Sequence, residues 1–368
     1  MLKKVLFFDH SAQFGGAERS LLDMIAGLKK TDNVFVTSNE AILARFKKKG
    51  IRCILFPMPS KIVNKKRNTG INLGEIYIIL KLISRFINLL RKENPDVVYT
   101  NSQKAHLIGG ISGRILQIPV CVHFRDIFNR NLFSKIWTVG IYLIANKLIV
   151  ISNAVAKQFP ASGKIKIIYN GIDIKLNSEK RKKKSSCFTV GYAGQIARWK
   201  GIEYFIQSAG IIMQRKNIGV KFIIVGGPIF GDEEYLKELK DLTKELKLEE
   251  NIQFKGVVEN AINEISEFDV LVHPSVFPEP FGRVLIEAGV LGKPVIATNI
   301  GAVPEIVIDG ETGILVPVKN ASAIAEGIIK LFDNPQFNCL LGQNANKRVK
   351  EYFNLTNTII SVQNIVNE

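Results

Sequence analysis

The sequence HPSVFPEPFGRVLIEA, residues 273–288, decides the fold of this chain. The apolar run at residues 269–272 just before it is typical of a buried parallel strand, and the residues after Gly282 are typical of a helix. The stretch therefore predicts a strand, a loop stiffened by proline and a helix N-terminus. Such a loop lies at the carboxyl edge of the sheet, where open α/β sheets bind their ligands.

Two carboxylates flank this loop and the start of the helix. Glu279 is expected in the loop, able to accept hydrogen bonds from hydroxyls, and Glu287 about one turn into the helix. The amides of Gly282, Arg283 and Val284 are first-turn donors suited to an anion. Hydroxyl-binding carboxylates beside phosphate-binding amides fit a sugar nucleotide. The alternative is that Glu287 only pairs with Arg283 on a helix surface, which contributes roughly 0.2–0.5 kcal/mol.

The spacing from Glu279 to Glu287 resembles the E-x7-E motif of the GT4-like retaining glycosyltransferases. The resemblance implies the GT-B fold, an α/β fold of two Rossmann-like doubly wound domains that face a central cleft. It further implies that Glu279 binds sugar hydroxyls and Glu287 the ribose, while Lys200 and the amides of residues 282–284 bind the diphosphate.

The order of apolar runs supports two such domains. At 368 residues the chain is too long for one ordinary core. Short apolar runs alternate with helical patterns in both halves, as in parallel sheets covered by helices. We expect an acceptor-binding domain at residues 1–174, a basic linker at 175–185 and a donor-binding domain at 186–346. A C-terminal helix at about 347–368 is expected to pack back onto the first domain.

Charge is divided unevenly along the chain. Residues 1–185 contain 33 lysines and arginines against 11 acidic residues, whereas residues 186–368 contain 17 against 22. The basic half is expected to face an anionic partner. Residues 71–92 have a broad apolar helical stripe beside Lys81 and Arg85, after a basic run at residues 61–67. This pattern favours an anionic membrane surface, and the alternative is a helix packed on its own sheet.

No segment has the pattern of a signal peptide or a membrane span. The four cysteines are scattered without metal-like spacing, and no Asp-x-Asp pair stands out at a strand end. We therefore expect no metal and no cofactor, and the family resemblance implies a UDP- or GDP-linked sugar as substrate. The expected location is cytoplasmic, peripheral at the inner face of a bacterial membrane.

Two glycine-rich loops resemble other elements of the family. Gly15, Gly16 and Glu18 match a GGAE loop, which closes over the donor phosphates and the acceptor. The loop at residues 194–201 normally carries an arginine directly after its first glycine and a lysine five residues later. Lys200 matches the lysine, but Gln195 replaces the arginine. Arg198 is either the substitute cation or a solvent-facing side chain, and the sequence leaves both open.

Further departures and matches complete the predicted site. The family commonly has a His-Asp pair where this chain has His123, Arg125 and Asp126, and one of the first two is expected to line the acceptor site. Gly226 ends a strand and is expected beside the nucleotide, and Phe281 is expected on the donor side.

The sequence thus predicts a retaining, metal-independent glycosyltransferase that moves a sugar from a nucleotide-sugar to a saccharide acceptor, lipid-linked or at the cell surface. One alternative is a nucleotide-sugar 2-epimerase of the same fold, against which the GGAE loop and the basic first half argue. Another is a nucleic-acid-directed glucosyltransferase or binding protein. Nucleic acid is disfavoured because the basic residues flank an aliphatic helix rather than aromatic side chains.

Overall fold

The computed structural model describes residues 2–65, 72–128, 131–177, 187–215, 219–228 and 232–368. The chain forms two compact units, Met1–Gly171 with Leu355–Glu368 and, between them, Ile172–Asn354. These bounds differ from the predicted domains, because the first unit ends before residue 174 and residues 347–354 belong to the second. Most of the predicted linker, residues 178–185, lies outside the described residues.

The first unit is a seven-stranded parallel sheet with the strand order β3-β2-β1-β4-β5-β6-β7. Its strands are β1 (Lys3–Asp9), β2 (Thr31–Thr37), β3 (Arg52–Leu55), β4 (Val97–Thr100), β5 (Val120–Phe124), β6 (Lys147–Val150) and β7 (Ile165–Ile167). Its helices up to this point are α1 (Gly16–Gly27), α2 (Glu40–Lys47), α3 (Ser60–Val63), α4 (Leu73–Glu93), α5 (Gln103–Ile115), α6 (Leu132–Ile144) and α7 (Asn153–Ala156).

The second unit is a six-stranded parallel sheet with the strand order β10-β9-β8-β11-β12-β13. Its strands are β8 (Phe188–Ala193), β9 (Val220–Val225), β10 (Ile252–Gly256), β11 (Val270–His273), β12 (Val295–Thr298) and β13 (Gly313–Val316). Its helices are α8 (Ile202–Arg215), α9 (Glu233–Glu245), α10 (Ala261–Ser266), α11 (Arg283–Val290), α12 (Val303–Ile306), α13 (Ala321–Asp333) and α14 (Pro335–Tyr352), with short 3-10 turns at Ile174–Asn177 and Arg198–Lys200.

The strand order indicates where each sheet is expected to bind a ligand. The order reverses at β1, which lies between β2 and β4, and again at β8, which lies between β9 and β11. At such a reversal the connecting helices leave for opposite faces, so a crevice opens beyond the carboxyl ends of the strands. The α/β fold with two Rossmann-like sheets, as predicted from the alternating runs, is confirmed.

Helix α15 (Leu355–Asn367) follows the second unit in the sequence but belongs to the first unit. It contacts α1, and Val362 and Val366 are buried in the same core as Leu21 and Ile25 of that helix. Lys3 Nζ donates a hydrogen bond to the carbonyl of Asn367 at 2.7 Å.

Helix α4 divides its apolar residues between the core and the surface. Phe86 and Leu90 are fully buried in the core beneath α4 and α5, so the broad stripe predicted from sequence is largely a core contact. Four apolar residues in its first two turns remain exposed: Leu73, Ile76, Tyr77 and Leu80. Among the residues that the structure describes, no helix is long and apolar enough to cross a membrane.

Candidate functional site

The carboxyl ends of β8 and β11 carry most of the residues predicted on the donor side. Gly194 directly follows β8, and His273 is the last residue of β11. The two strands are hydrogen-bonded neighbours at the point where the strand order reverses. The loop after β8 that ends in Lys200 and the loop after β11 that contains Glu279 therefore meet at one edge.

Glu279 is the centre of a polar cluster at this edge. Its Oε2 accepts hydrogen bonds from Lys200 Nζ at 2.7 Å and from Ser275 Oγ at 3.2 Å, and it lies 3.4 Å from His273 Nε2. Within the described part of the chain, Oε1 has no hydrogen-bond partner. The protein thus fixes one carboxylate oxygen and leaves the other able to accept a bond from a ligand.

The ionisation of Glu279 follows from these contacts. Burial opposes the charged carboxylate, but the ammonium of Lys200 and the imidazole of His273 outweigh burial, and the pKa of Glu279 lies well below its ordinary value. Burial also lowers the pKa of His273, so its imidazole is neutral near neutral pH. Glu279 is therefore an ionised acceptor and is unsuited to donate a proton.

Tight backbone packing holds the two loops together. Val276 N donates to Trp199 O at 2.9 Å, which joins the β11 loop to the residue before Lys200. Gly301 has φ +62°, and a Cβ there would lie 2.4 Å from both the amide nitrogen and the carbonyl oxygen of Glu279. The positions of both charged residues are thus fixed by backbone contacts that admit no side chain at Gly301.

Helix α11 brings the second carboxylate of the motif beside its arginine. Arg283 Nε donates to Glu287 Oε1 at 3.0 Å, and both side chains are mostly buried. The alternative of an i, i+4 pair is thus present, but not on an exposed surface. Gly282 caps the helix with φ +90° and supplies no capping side chain, and Val284 follows in the first turn. This leaves the helix start suited to an anion.

Three other predicted donor-side residues lie in the second unit. Phe281 is buried with its ring against Phe353, so its side chain belongs to the core. Gly226 has φ +137°, and a Cβ there would lie 1.7 Å from Gly194 O, so it keeps the ends of β8 and β9 in close contact. Gln195 is half-buried, and its carbonyl accepts a bond from Tyr192 Oη at 2.7 Å.

Arg198 has a carboxylate partner away from Glu279. Its guanidinium forms a two-point ion pair with Glu238 on α9, with Nη1 2.8 Å from Oε2, and it stacks over the ring of Tyr235. The side chain is 59% exposed. This geometry agrees with the alternative of a solvent-facing side chain. A role for Arg198 at a diphosphate stays a prediction, and it requires the guanidinium to leave Glu238 for the phosphate.

In the first unit, Ser11 bridges two buried carboxylates at the start of α1. Ser11 Oγ donates to Glu18 Oε1 at 2.6 Å, and Ser11 N donates to Asp9 Oδ1 at 2.7 Å. The other oxygen of Glu18 accepts a bond from Gly15 N at 2.8 Å, which caps the helix that begins at Gly16. Burial, followed by the charge of Asp9, raises the pKa of Glu18 to about 7.

Arg125 lies at the carboxyl edge of the same sheet, within a buried network. Its Nε donates to Asn101 Oδ1 and its Nη1 to Asn170 Oδ1, both at 2.6 Å. The amide of Asn101 in turn donates to Asp9 Oδ2 at 2.7 Å. Asn101 therefore connects the buried carboxylate of Asp9 to the buried guanidinium of Arg125.

His123 contacts Arg125 but lies deeper in the sheet. Arg125 Nη2 and Tyr99 Oη lie 3.1 Å and 2.6 Å from His123 Nδ1, and an arginine can only donate. Burial, and then the charge of Arg125, lowers the pKa of His123 well below its ordinary value, so the ring is neutral with its proton on Nε2. That atom is buried and, among the described residues, has no hydrogen-bond partner.

The structure thus brings Glu279 and Lys200 together in the second unit, and Glu18, Arg125 and His123 to one region of the first. Sequence reasoning missed Ser275 and His273, although both lie within the quoted motif, and it missed Asp9 and Asn101. Asp9 is the last residue of β1 and Asn101 directly follows β4, and polar residues at the carboxyl ends of neighbouring parallel strands are a usable signal. Among the described residues, no group of three or more His, Cys, Asp or Glu could hold a metal ion.

Comparison with known proteins identifies the family. The family of glycosyl transferases group 1 matches residues 173–348, and glycosyltransferase family 4 matches residues 14–176. The capsular polysaccharide biosynthesis glycosyltransferase CapM of Staphylococcus aureus is 30% identical over 298 residues, which cover 74% of this chain and 77% of CapM.

A second relative and a solved structure agree. The UDP-Gal:alpha-D-GlcNAc-diphosphoundecaprenol alpha-1,3-galactosyltransferase of Escherichia coli is 23% identical over 318 residues, 80% of each chain. The crystal structure of Anabaena HepE in complex with UDP-glucose superposes with a TM-score of 0.82, at 26% identity and 99% coverage of both chains. The chain therefore belongs to the group 1, family 4-like glycosyltransferases of the GT-B fold, and it is an enzyme that transfers a sugar from a nucleotide-sugar donor.

Proposed function

We propose that this chain is a retaining, metal-independent glycosyltransferase that uses a UDP- or GDP-linked sugar. The proposed acceptor is a lipid-linked saccharide or another precursor of a cell-surface polysaccharide. The UDP-glucose complex of HepE supports a UDP-linked donor. The names of CapM and of the Escherichia coli galactosyltransferase support the acceptor class.

One observation carries the proposal: three side chains converge on a single oxygen of Glu279. Lys200, Ser275 and His273 fix Oε2, so Oε1 has a defined direction in which to accept a sugar hydroxyl. An ionised carboxylate makes hydrogen bonds to hydroxyls that are roughly twice as strong as those of a neutral acceptor. We assign Glu279 to the transferred sugar and Glu287 to the ribose.

The leaving diphosphate requires positive charge near the same edge. Lys200 supplies one ammonium, and the start of α11 at Gly282 and Arg283 supplies backbone amides. These donors are fixed before any ligand binds, so they stabilise charge as it develops on the leaving group without reorganisation. Metal independence is proposed on this basis, because fixed cations and amides can replace a divalent ion at a diphosphate.

The acceptor is assigned to the carboxyl edge of the first sheet. Arg125 is the better placed of the two predicted residues, because it follows β5 directly whereas His123 is 1% exposed within the strand. The start of α1 at Gly15 and Glu18 lies at the same edge, since α1 follows β1. The first unit contains 27 lysines and arginines against 10 acidic residues, which supports a peripheral position on an anionic membrane.

A thermal-shift panel tests the donor site. The protein is titrated with UDP, GDP, ADP and their sugar conjugates in the presence of EDTA. A ligand at about 100 times its Kd should stabilise the protein by roughly 2.7 kcal/mol. Glu287→Ala should abolish the shift for one nucleotide series, whereas Glu311→Ala, a change outside the cluster, should keep it. No shift with any nucleotide, with or without added Mg²⁺, contradicts the proposed donor site.

The stereochemistry is tested separately. Once a donor and an acceptor are known, the anomeric configuration of the product is read from the one-bond C–H coupling at the new linkage. Retention gives an α-linked product from an α-linked nucleotide-sugar, and a β-linked product contradicts it. Dependence of turnover on a divalent ion contradicts metal independence alone.

A further inference from the structure

Helix α6 carries an apolar surface that the sequence analysis did not single out. Five of its side chains are exposed by 51–74%: Leu132, Phe133, Ile136, Val139 and Leu143. Their spacing places them along one side of the helix from its first residue nearly to its last. Five large exposed apolar side chains on one 13-residue helix exceed what scattered surface residues account for.

Helix α4 extends this surface within the same layer. Helix α5 contacts both α4 and α6, so the three helices cover one face of the first sheet side by side. Each of the three helices connects the end of one parallel strand to the start of another. All three therefore run from the carboxyl edge of the sheet towards the opposite edge. We call the exposed residues of α4 and α6 the apolar band: Leu73, Ile76, Tyr77 and Leu80 of α4, with the five of α6.

The charges around the apolar band have one sign. Helices α5 and α6 contain no acidic residue, and the two of α4, Glu75 and Glu93, are buried and paired with lysine or arginine. By contrast, six cations on the three helices are exposed: Lys81, Arg85, Arg91, Lys92, Arg114 and Lys135. An apolar strip bordered by exposed cations and no exposed carboxylate complements a surface of acyl chains beneath anionic headgroups.

We propose that α6, together with the first two turns of α4, is the surface by which this protein lies on an anionic lipid bilayer. A second copy of the chain is a poorer occupant, because pairing two such surfaces would bring like charges together around the contact. This inference deepens the proposed function by naming the partner surface. A helix layer that begins at the edge of Arg125 and Glu18 would place that edge near a lipid-linked acceptor.

Intrinsic fluorescence reads contact at α6 directly. The chain contains two tryptophans, Trp137 in α6 and Trp199 in the second unit. In a Trp199→Phe variant, vesicles of brominated phosphatidylcholine with about 30% phosphatidylglycerol should quench Trp137, whereas vesicles without phosphatidylglycerol should quench it weakly. Raising the salt concentration to about 0.5 M should reduce the quenching, because screening weakens the attraction to anionic lipid.

A surface variant with a matched control locates the contact. The triple variant Phe133→Ser, Ile136→Gln and Leu143→Gln changes only exposed side chains, and its vesicle affinity by flotation should fall more than about tenfold. The control, Leu340→Gln with Ile360→Gln, removes exposed apolar side chains of α14 and α15 and should bind vesicles as the unchanged protein does. Equal binding of the triple variant and the control overturns the proposal, as does no binding by the unchanged protein.

Two further readouts separate the remaining explanations. A concentration-dependent dimer in lipid-free ultracentrifugation that the triple variant loses would assign the apolar band to a second copy instead. The UDP-induced thermal shift of the triple variant and of its control should equal that of the unchanged protein. A protein that shows the shift but binds no vesicles contradicts this inference alone, whereas vesicle binding without any nucleotide shift contradicts the proposed donor site.

Discussion

The ammonium of Lys200 lies 2.7 Å from Oε2 of Glu279, so the cation assigned to the diphosphate and the carboxylate assigned to the sugar form one ion pair. A donor that binds both residues must share this pair rather than meet two independent charges. The pair therefore couples recognition of the phosphate to recognition of the sugar. Each residue also neutralises the charge of the other. Because both side chains are largely buried, the loss of either one leaves an unpaired buried charge that destabilises the folded protein.

Lys200→Met should lower the free energy of unfolding by about 3 kcal/mol, because it leaves a buried carboxylate without its cation. Adding Glu279→Gln should recover most of that loss, since a neutral amide needs no cation, while transfer activity stays absent in both variants. Urea denaturation and a turnover assay measure the two quantities. A double variant that is less stable than Lys200→Met would contradict the coupling.

Gln195→Arg should strengthen UDP binding about tenfold, or roughly 1.4 kcal/mol. Gln195 is half-buried in the loop that ends in Lys200, where a guanidinium can make two charge-assisted bonds to phosphate. Isothermal titration calorimetry with UDP measures the change, and Gln195→Met serves as the uncharged control of similar length. Unchanged or weaker affinity in the arginine variant would show that this position does not face the diphosphate.

The pair Arg198–Glu238 gives two variants with opposite expected effects. If Arg198 moves to the diphosphate during turnover, Arg198→Ala should remove most of the activity. Glu238→Gln should then strengthen UDP binding, because it releases the guanidinium from its carboxylate partner. Activity and UDP affinity are measured on both. Near-normal turnover of Arg198→Ala would leave Arg198 as a surface side chain.

Glu18 should make stability depend on pH. Its pKa is raised from 4.5 to about 7, so between these values the folded state binds more protons than the unfolded state. Stability should therefore fall as the pH rises through this window, by up to about 3 kcal/mol, and no penalty remains below it. Glu18→Gln should remove this dependence, so its gain in stability over the unchanged protein should be larger at about pH 8 than at about pH 5.

Comparing the two proteins at each pH isolates Glu18, because buried groups such as His273 titrate alike in both. The glutamine can still accept the bond from Gly15 N, so the helix cap is retained. A difference between the two proteins that does not change with pH would contradict a raised pKa for Glu18.

Gly301→Ala should damage the donor site through the backbone. The added Cβ would meet the backbone of Glu279 at 2.4 Å, so the loop must shift and the activity should fall at least tenfold. Gly310→Ala is the matched control, because Gly310 has a similar φ of +71° but open space around its Cβ position. Both variants should lose stability from backbone strain, Gly301→Ala more because of the added clash, but the control should keep its activity. Equal activity of the two would contradict a positioning role for Gly301.

The sequence predicted the fold well because the signal is local. Each buried parallel strand is a short apolar run, and the order of strands and helices restricts the sheet topology to few choices. The same logic placed Glu279 and Lys200 at one sheet edge. It could not find the contact between Arg198 and Glu238, since these residues are 40 positions apart and meet only through the packing of α9.

Burial was harder to predict than secondary structure. The apolar residues of α4 and α6 look alike in sequence, yet Phe86 is fully buried and Ile136 is 63% exposed. An apolar side chain is equally consistent with a core and with an interface, and only the neighbouring elements decide between them. Phe281, which was expected on the donor side, has its side chain buried against Phe353, and its contact with the donor stays a prediction.

The return of α15 to the first unit has a consequence for biosynthesis. Because Val362, Ile365 and Val366 complete a core whose other buried members lie between Val5 and Ile168, a ribosome must translate the entire second unit before the first can close. The second unit, continuous in the chain, can fold earlier, which reverses the usual N-to-C order of domain folding. Proteolysis of stalled nascent chains would show this order as late protection of the first unit. Until then, the apolar surface beneath α15 is open to chaperones.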